Sequence, residues 1–216
     1  MKINIGYLYY DLLNLYGDSG NIKTLLYHLK EQGVNVNIKY MTLNEEKDFS
    51  DLDMIYIGSG TENNILLALE DLKKDKEKIK DFLKENKILL STGNSLELFG
   101  NYIIGTQKIK ALGIQDYVVM GQNRIVKDVD SKDSFNNLEI IGFENHNGHN
   151  LSNTSDIINN GSFYATYIIG PILVRNPKLC SYFIHKLIDK KDNNFNYKEE
   201  DYELDELAYK KTVGTI

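Results

Sequence analysis

Apolar residues in the first hundred positions fall into two kinds of segment, short continuous runs and longer stretches at helical spacing, and the two kinds alternate. "INIGYLY" is a short apolar strand, followed by "DLLNLYGDSGN", where Gly17, Asp18, Gly20 and Asn21 signal a turn. From there Ile22, Leu25, Leu26 and Leu29 line one helical face, which Gly33 ends. "VNVNIKYM" alternates apolar with polar residues, as a half-buried strand towards a sheet edge does, whereas "DMIYIGSG" is continuously apolar and reads as central. Residues 62–86 carry a helical pattern through Ile65, Leu66, Leu69, Leu72, Ile79 and Leu83, broken in its charged middle, and "KILLS" follows as a buried strand. Such alternation is the sequence form of a doubly wound parallel sheet.

After Gly100 the pattern shortens. "DYVVMG", "NRIVKDV" and "EIIGFENH" predict extra or antiparallel strands, and "SFYATYIIGPILVRNP" predicts one more apolar strand ending at Gly170-Pro171. Pro177 stands where a first helical turn begins, ahead of the apolar face of "KLCSYFIHKLI". The expectation is a flavodoxin-like three-layer α/β/α domain over residues 1–190, its mostly parallel sheet carrying added antiparallel strands. Residues 191–216 form a polar C-terminal extension, in which Tyr202, Leu204, Leu207 and Ala208 outline a terminal helix able to dock on a partner or to remain solvated.

Composition narrows the function classes. With 42% hydrophobic and 26% charged residues in 216, the chain has enough apolar material for one sizeable core. A net charge of -6, with lysines interleaved among acids in "EDLKKDKEKIKDFLKE" and only Arg124 and Arg175 as guanidinium groups, excludes nucleic acid as the expected partner. No window approaches the roughly 20 apolar residues of a spanning helix, so no membrane insertion is expected. The amino terminus reads as mature protein, and the single cysteine, Cys180, fits a reducing cytoplasm.

The candidate chemistry lies in "LLSTGNSLELFGN", residues 89–101, a buried strand, a tight turn and a short helix. This is the form of a nucleophile elbow, with its tip at positive φ and small residues two positions to either side. The tip is Gly93, the flanking residues are Ser91 and Ser95, and Asn94 supplies the first amide beyond the tip. Glycine reaches positive φ without strain but brings no nucleophile.

At these residues the chain resembles the class I glutamine amidotransferase-like proteins, and within them the glutaminase subunits of lipid II isoglutaminyl synthase, in the cobyric acid synthase-like branch. "LYYDLLNLYGDSGNI", "DMIYIGSGTENN", "STGNSLELFG", "GFENHNGH", "YIIGPILVRNP" and, more loosely, "ELDELAYKK" carry the resemblance along nearly the whole chain. The family elbow reads Cys, Gly-Gly, an aromatic, Gln, two leucines and Gly, which sets the cysteine position on Gly93. The family base is a histidine before Gly-Pro, and that position holds Ile169. Glutamine hydrolysis needs a thiolate and an imidazole, so the resemblance implies the fold and argues against the reaction. It also implies substrate contacts at Arg124, whose planar fork suits a carboxylate, and at Gly58, Gly60, Thr61 and Asn94 beside the tip.

Three functions follow. The first is a catalytically lapsed amidotransferase-like subunit, without cofactor or metal, partnering a Mur ligase-like synthetase as a heterodimer in peptidoglycan precursor amidation. The second is a glutaminase or amidase rebuilt around Ser91, Thr92 or Ser95 with His146 or His149. Against it, Ser91 and Thr92 point into the core or away from the tip, and Ser95 caps the following helix. The third is a stand-alone sensor that binds a small amino acid at the old pocket, with glutamine or another small carboxylate as the ligand that Arg124 would suit. His146 and His149 with Glu144 offer a weak metal spacing, whose plain alternative is a hydrogen-bonded loop. Cys180 reads as core, His185 as helix surface and His28 as without a functional sign.

Overall fold

The computed structural model describes residues 1–133, 138–151, 157–198 and 203–214, with the side chains of 130–133 excepted. Tyr202 lies outside them. The chain runs β1 (Lys2–Leu8), α1 (Ser19–Glu31), β2 (Asn35–Met41), β3 (Met54–Ile57), α2 (Glu62–Leu72), α3 (Lys76–Lys84) and β4 (Ile88–Thr92). A 3-10 helix over Gly93–Phe99 leads to β5 (Tyr102–Ile104), β6 (Lys108–Lys110), β7 (Val118–Asp133) and β8 (Leu138–Asn150). β9 (Ile157–Asn160), β10 (Phe163–Thr166), β11 (Ile168–Ile169), α4 (Ile172–Arg175), α5 (Pro177–Asp189) and α6 (Glu203–Val213) complete it.

The main sheet has the order β2-β1-β3-β4-β10-β9, parallel except for β9. β2 is an edge and β3 is central, as their patterns predict. Alternation along the strands sends Ile3, Ile5, Met54, Tyr56, Ile88 and Leu90 into one apolar cluster with α1 and α5. Ile55, Ile57 and Leu89 join α2 and α3 in a second cluster. Covering both faces of a parallel sheet in this way is why its central strand β3 is apolar throughout. The predicted break in residues 62–86 is a 3-10 turn at Lys73–Asp75 between α2 and α3.

A second sheet, β11-β8-β7-β5-β6, is antiparallel apart from the β5–β7 pair. It corrects one expectation. "SFYATYII" is two strands in two sheets: β10 pairs with β4 in the main sheet, and β11 pairs with β8 in the second. Tyr167 falls between them, and the Ile168 amide donates to Thr166 Oγ1 at 3.0 Å, closing the bend. This switch of sheets carries Ile169 to the rim of the elbow.

The tail folds back on the body. Phe195 and Tyr197 pack against the α1/α5 cluster, and Lys198 exchanges two backbone hydrogen bonds with the Gln32 side chain at 2.8 and 3.2 Å. α6 is held in part by Tyr209, whose hydroxyl donates to the Glu139 carbonyl at 3.0 Å. Leu204 remains 80% exposed and Leu207 50%. No helix of the described residues is long and apolar enough to cross a membrane.

Candidate functional site

β4 delivers the chain to Gly93, whose φ is +68°, and the 3-10 helix leaves it. The elbow form read from the sequence is present. A Cβ at residue 93 would stand 2.5 Å from Ser59 Cβ and 3.0 Å from Ile169 Cγ2. Gly93 and Ile169 therefore abut, and Ser59, from the loop after β3, occupies the space into which a side chain at the tip would project.

Ser59 is fixed by a buried polar cluster. Its hydroxyl donates to Asp18 Oδ2 at 2.7 Å, and the other Asp18 oxygen accepts from Thr92 Oγ1 at 3.0 Å. Tyr56 OH lies 2.8 Å from Thr92 Oγ1 and accepts from Asn21 Nδ2 at 2.7 Å, while Asn21 Oδ1 accepts from the Leu173 amide at 2.8 Å. Asp18, Asn21, Tyr56, Ser59 and Thr92 are all buried. Desolvation, then the neighbouring Asp18 charge, holds the Tyr56 phenol far above its ordinary range, so it stays neutral. This cluster joins α1, β3, β4 and α4 beneath the tip.

The other expected residues divide. The Gly60 amide donates to Asn94 Oδ1 at 3.1 Å, and Asn94 Nδ2 returns a bond to the Gly60 carbonyl at 2.8 Å, so the two clasp beside the tip. Gly58 lies against the Leu13 carbonyl and the Asp18 side chain. Thr61 caps α2 by accepting from the Asn64 amide at 3.2 Å. Arg124 sits apart, exposed on β7 within a register shift between Gly121 and Ile125, and its Nε donates to Asn145 at 2.7 Å.

The serines are not poised for catalysis. Ser91 and Ser95 are buried, with their hydroxyl oxygens 2.7 Å apart. Ser95 also lies 3.0 Å from the Thr92 carbonyl, so it bonds backwards rather than capping the helix as expected. Among the described residues, the side chains of Ser91, Thr92 and Ser95 bond to hydroxyls, backbone carbonyls and the Asp18 carboxylate, not to an imidazole.

"ENHNGH" is strand rather than loop. On β8 the alternation sends Glu144, His146 and Gly148 inward and Asn145, Asn147 and His149 outward, so the two histidines face opposite sides. His146 Nδ1 donates to the Gly148 carbonyl at 2.6 Å, its Nε2 is 3.4 Å from Glu144, and its ring stacks on Tyr167 at 3.8 Å. Among the described residues no group of three or more His, Cys, Asp or Glu is arranged to hold a metal ion. Cys180 is buried in the α1/α5 cluster, His185 is exposed and His28 is largely buried.

A cavity of about 540 Å³ opens beside the elbow. Ile65, Leu66, Ile103, Ile104, Ile109 and Val119 form apolar wall, and Asn94, Glu97, Glu62 and Asn147 bring polar groups to it. Gly93, Ile169 and Arg124 are not among its lining residues. Desolvation, aided by the charge of Glu62, raises the Glu97 carboxyl from 4.5 to about 8, against a lowering hydrogen bond from Tyr167. The folded pKa thus lies above the unfolded one: this stabilising contribution is complete below about pH 4.5 and is lost as pH rises towards 8. Wild type should lose roughly 1–3 kcal/mol across that window relative to Glu97→Gln, allowing for screening by cavity water. Urea unfolding at pH 5 and pH 8.5 measures the difference, and parallel pH profiles for the two proteins would refute it.

Ser59, Asp18, Glu97 and Glu62 escaped the sequence reading. Asp18 counted only as a turn residue and Ser59 lay hidden between Gly58 and Gly60, but Glu97 carried a usable signal, a lone acid in the apolar run "LELF".

A family model described as the CobB/CobQ-like glutamine amidotransferase domain matches residues 4–171. The chain belongs to this family. Among its relatives, "Lipid II isoglutaminyl synthase (glutamine-hydrolyzing) subunit GatD" of Streptococcus pneumoniae is 26% identical, over 88% of this chain and 82% of that protein. The protein of the same description from Staphylococcus aureus is 29% identical, over 94% of this chain and 92% of that one. A glutamine amidotransferase crystal structure from Thermotoga maritima superposes with a TM-score of 0.51 at 11% identity, covering 98% of this chain and 92% of that chain. A second glutamine amidotransferase crystal structure gives 0.50 at 16% identity, over 85% of this chain and 97% of that chain. These two matches concern the fold. As a member of the CobB/CobQ-like family, the chain presents an elbow whose tip is glycine and whose side-chain space is filled by a serine.

Proposed function

We propose that this chain is a glutamine amidotransferase-like subunit that has lost glutamine hydrolysis and partners a Mur ligase-like synthetase in amidating a peptidoglycan precursor in the cytoplasm. The observation that carries the reading is the abutment of Gly93, Ile169 and Ser59: the positions that the resemblance assigns to nucleophile and base meet, neither carries that chemistry, and Ser59 occupies the space into which a side chain at 93 would project. The relatives described as glutamine-hydrolysing subunits of lipid II isoglutaminyl synthase supply the pathway and the expectation of a ligase partner. In this role the subunit is structural or regulatory, and the synthetase uses free ammonia.

Two measurements test the proposal. Purified protein incubated with glutamine should release no ammonia above a heat-killed control, and release would overturn the lapsed-enzyme reading. Co-expressed with the Mur ligase-like synthetase, it should elute as a heterodimer that amidates precursor with ammonium chloride but not with glutamine. Absence of a stable complex would remove the partnership. Arg124→Ala should change stability by no more than about 0.5 kcal/mol, because the side chain is exposed and tied to the body by its surface hydrogen bond to Asn145. Calorimetry with glutamine should give equal heats for Arg124→Ala and wild type, and a loss of heat would restore Arg124 as a carboxylate anchor.

A further inference from the structure

We propose that the cavity beside the elbow binds a small organic ammonium cation, a primary amine on a short apolar stem, with Glu97 at its floor and Glu62 at its mouth. This assignment is independent of the lost glutaminase, because it needs only the cavity and its lining.

The geometry is that of a built site. Glu62 is exposed at the start of α2, and Asn147 Nδ2 donates to its Oε1 at 2.7 Å, fixing the carboxylate at the rim. Glu97 is carried inward by the 3-10 helix, and the Tyr167 hydroxyl donates to its Oε1 across a long 3.4 Å. Gly148 makes room for that carboxylate: a Cβ there would lie 2.2 Å from Glu97 Oε1 and 2.7 Å from Tyr167 OH. Isoleucines and Val119 form the wall between, and about 540 Å³ lies within the range of small-molecule pockets.

Charge selects the ligand. The lining contains no Lys, Arg or His among the described residues, so a carboxylate entering it would meet two acids and no cation. An ammonium pairs with the Glu97 carboxylate in the field of Glu62, and its stem covers the apolar wall. Burial, with the Glu62 charge adding to it, raises the Glu97 carboxyl to about 8, and the groups facing it are Glu62 from α2, Tyr167 with His146 stacked on it, and Tyr117. A cation must therefore displace a proton from Glu97, and its affinity should rise with pH while the amine keeps its charge.

Isothermal titration with 1,4-diaminobutane and n-butylamine, against butyrate, glutamine and magnesium chloride, tests the proposal. The amines should bind the wild-type protein, about tenfold more tightly at pH 8.5 than at pH 7. Glu97→Gln should abolish that pH dependence and weaken binding at pH 8.5 by tenfold or more. Because Glu97 is enclosed, Glu62→Gln at the exposed mouth serves as a second variant, with an expected severalfold loss. Butyrate, glutamine or magnesium binding as tightly as the amines, or amine affinity indifferent to both variants, would overturn the assignment. The ammonia-release and heterodimer measurements would stand either way, so the two proposals fail separately.

Discussion

Placing cysteine and histidine at the two positions proposed to have lost them should not bring about glutamine hydrolysis. A Gly93→Cys/Ile169→His double variant is expected to release no ammonia from glutamine and to be less stable than wild type by about 2–6 kcal/mol. The reason is steric before it is chemical. Residue 93 sits at φ +68°, where a non-glycine residue costs roughly 1–3 kcal/mol. The new Cβ would meet Ser59 Cβ at 2.5 Å, a distance that requires backbone or Ser59 to move. Rotation about χ1 leaves Ser59 Cβ in place, so relief needs a backbone shift, which the 2.7 Å bond from the Ser59 hydroxyl to Asp18 opposes. A thiolate at 93 would thus be displaced from the elbow geometry or enclosed beneath Ser59, and glutamine would not reach it. Adding Ser59→Gly opens the space, so the triple variant should regain part of the lost stability; it is also the one in which thiol alkylation at 93 should become measurable. Urea unfolding and ammonia release decide the matter, and glutaminase activity in the double variant would show that the loss is confined to two side chains.

The residues that made the fold legible are those whose signals are local. The continuous apolar runs of β3 and β4, the alternation of β2, the charged break between α2 and α3 and Pro177 at the first turn of α5 each follow from a few neighbouring positions. The tip at Gly93 was legible for the same reason, since strand, glycine and small flanking residues lie within seven positions. What escaped depends on contacts across the fold. Ser59 reaches Gly93 from the loop after β3, and Asp18 reaches both Ser59 and Thr92 from the turn before α1. The split of "SFYATYII" follows from the exchange of partners at Tyr167, which no periodicity encodes. Arg124 sits within a register irregularity of β7, and which way a bulged residue points is not set by the strand's two-residue period.

The largest loss of stability from a single side chain near the elbow should come from Asp18→Ala, about 3–5 kcal/mol. Asp18 accepts from Ser59 at 2.7 Å, from Thr92 at 3.0 Å and from the Tyr16 amide at 3.3 Å, with Tyr56 OH a further 3.4 Å contact. Truncation would leave buried hydroxyls without their acceptor, each costing about 1–3 kcal/mol if no water replaces it. It would also loosen the tie between α1 and the strand ends, because the cluster runs on through Tyr56 and Asn21 to the Leu173 amide. Asp18→Asn keeps one acceptor oxygen and should cost less, about 1–3 kcal/mol. Denaturant midpoints with an unchanged slope give these values. A double-mutant cycle with Ser59→Ala then isolates the Ser59–Asp18 bond: residues within one network should couple by about 0.5–3 kcal/mol. Coupling near zero would mean that Ser59 is held over Gly93 by packing alone. Strong coupling would mean that the buried carboxylate keeps the elbow closed, and that Asp18→Ala should relieve part of the clash introduced by Gly93→Cys.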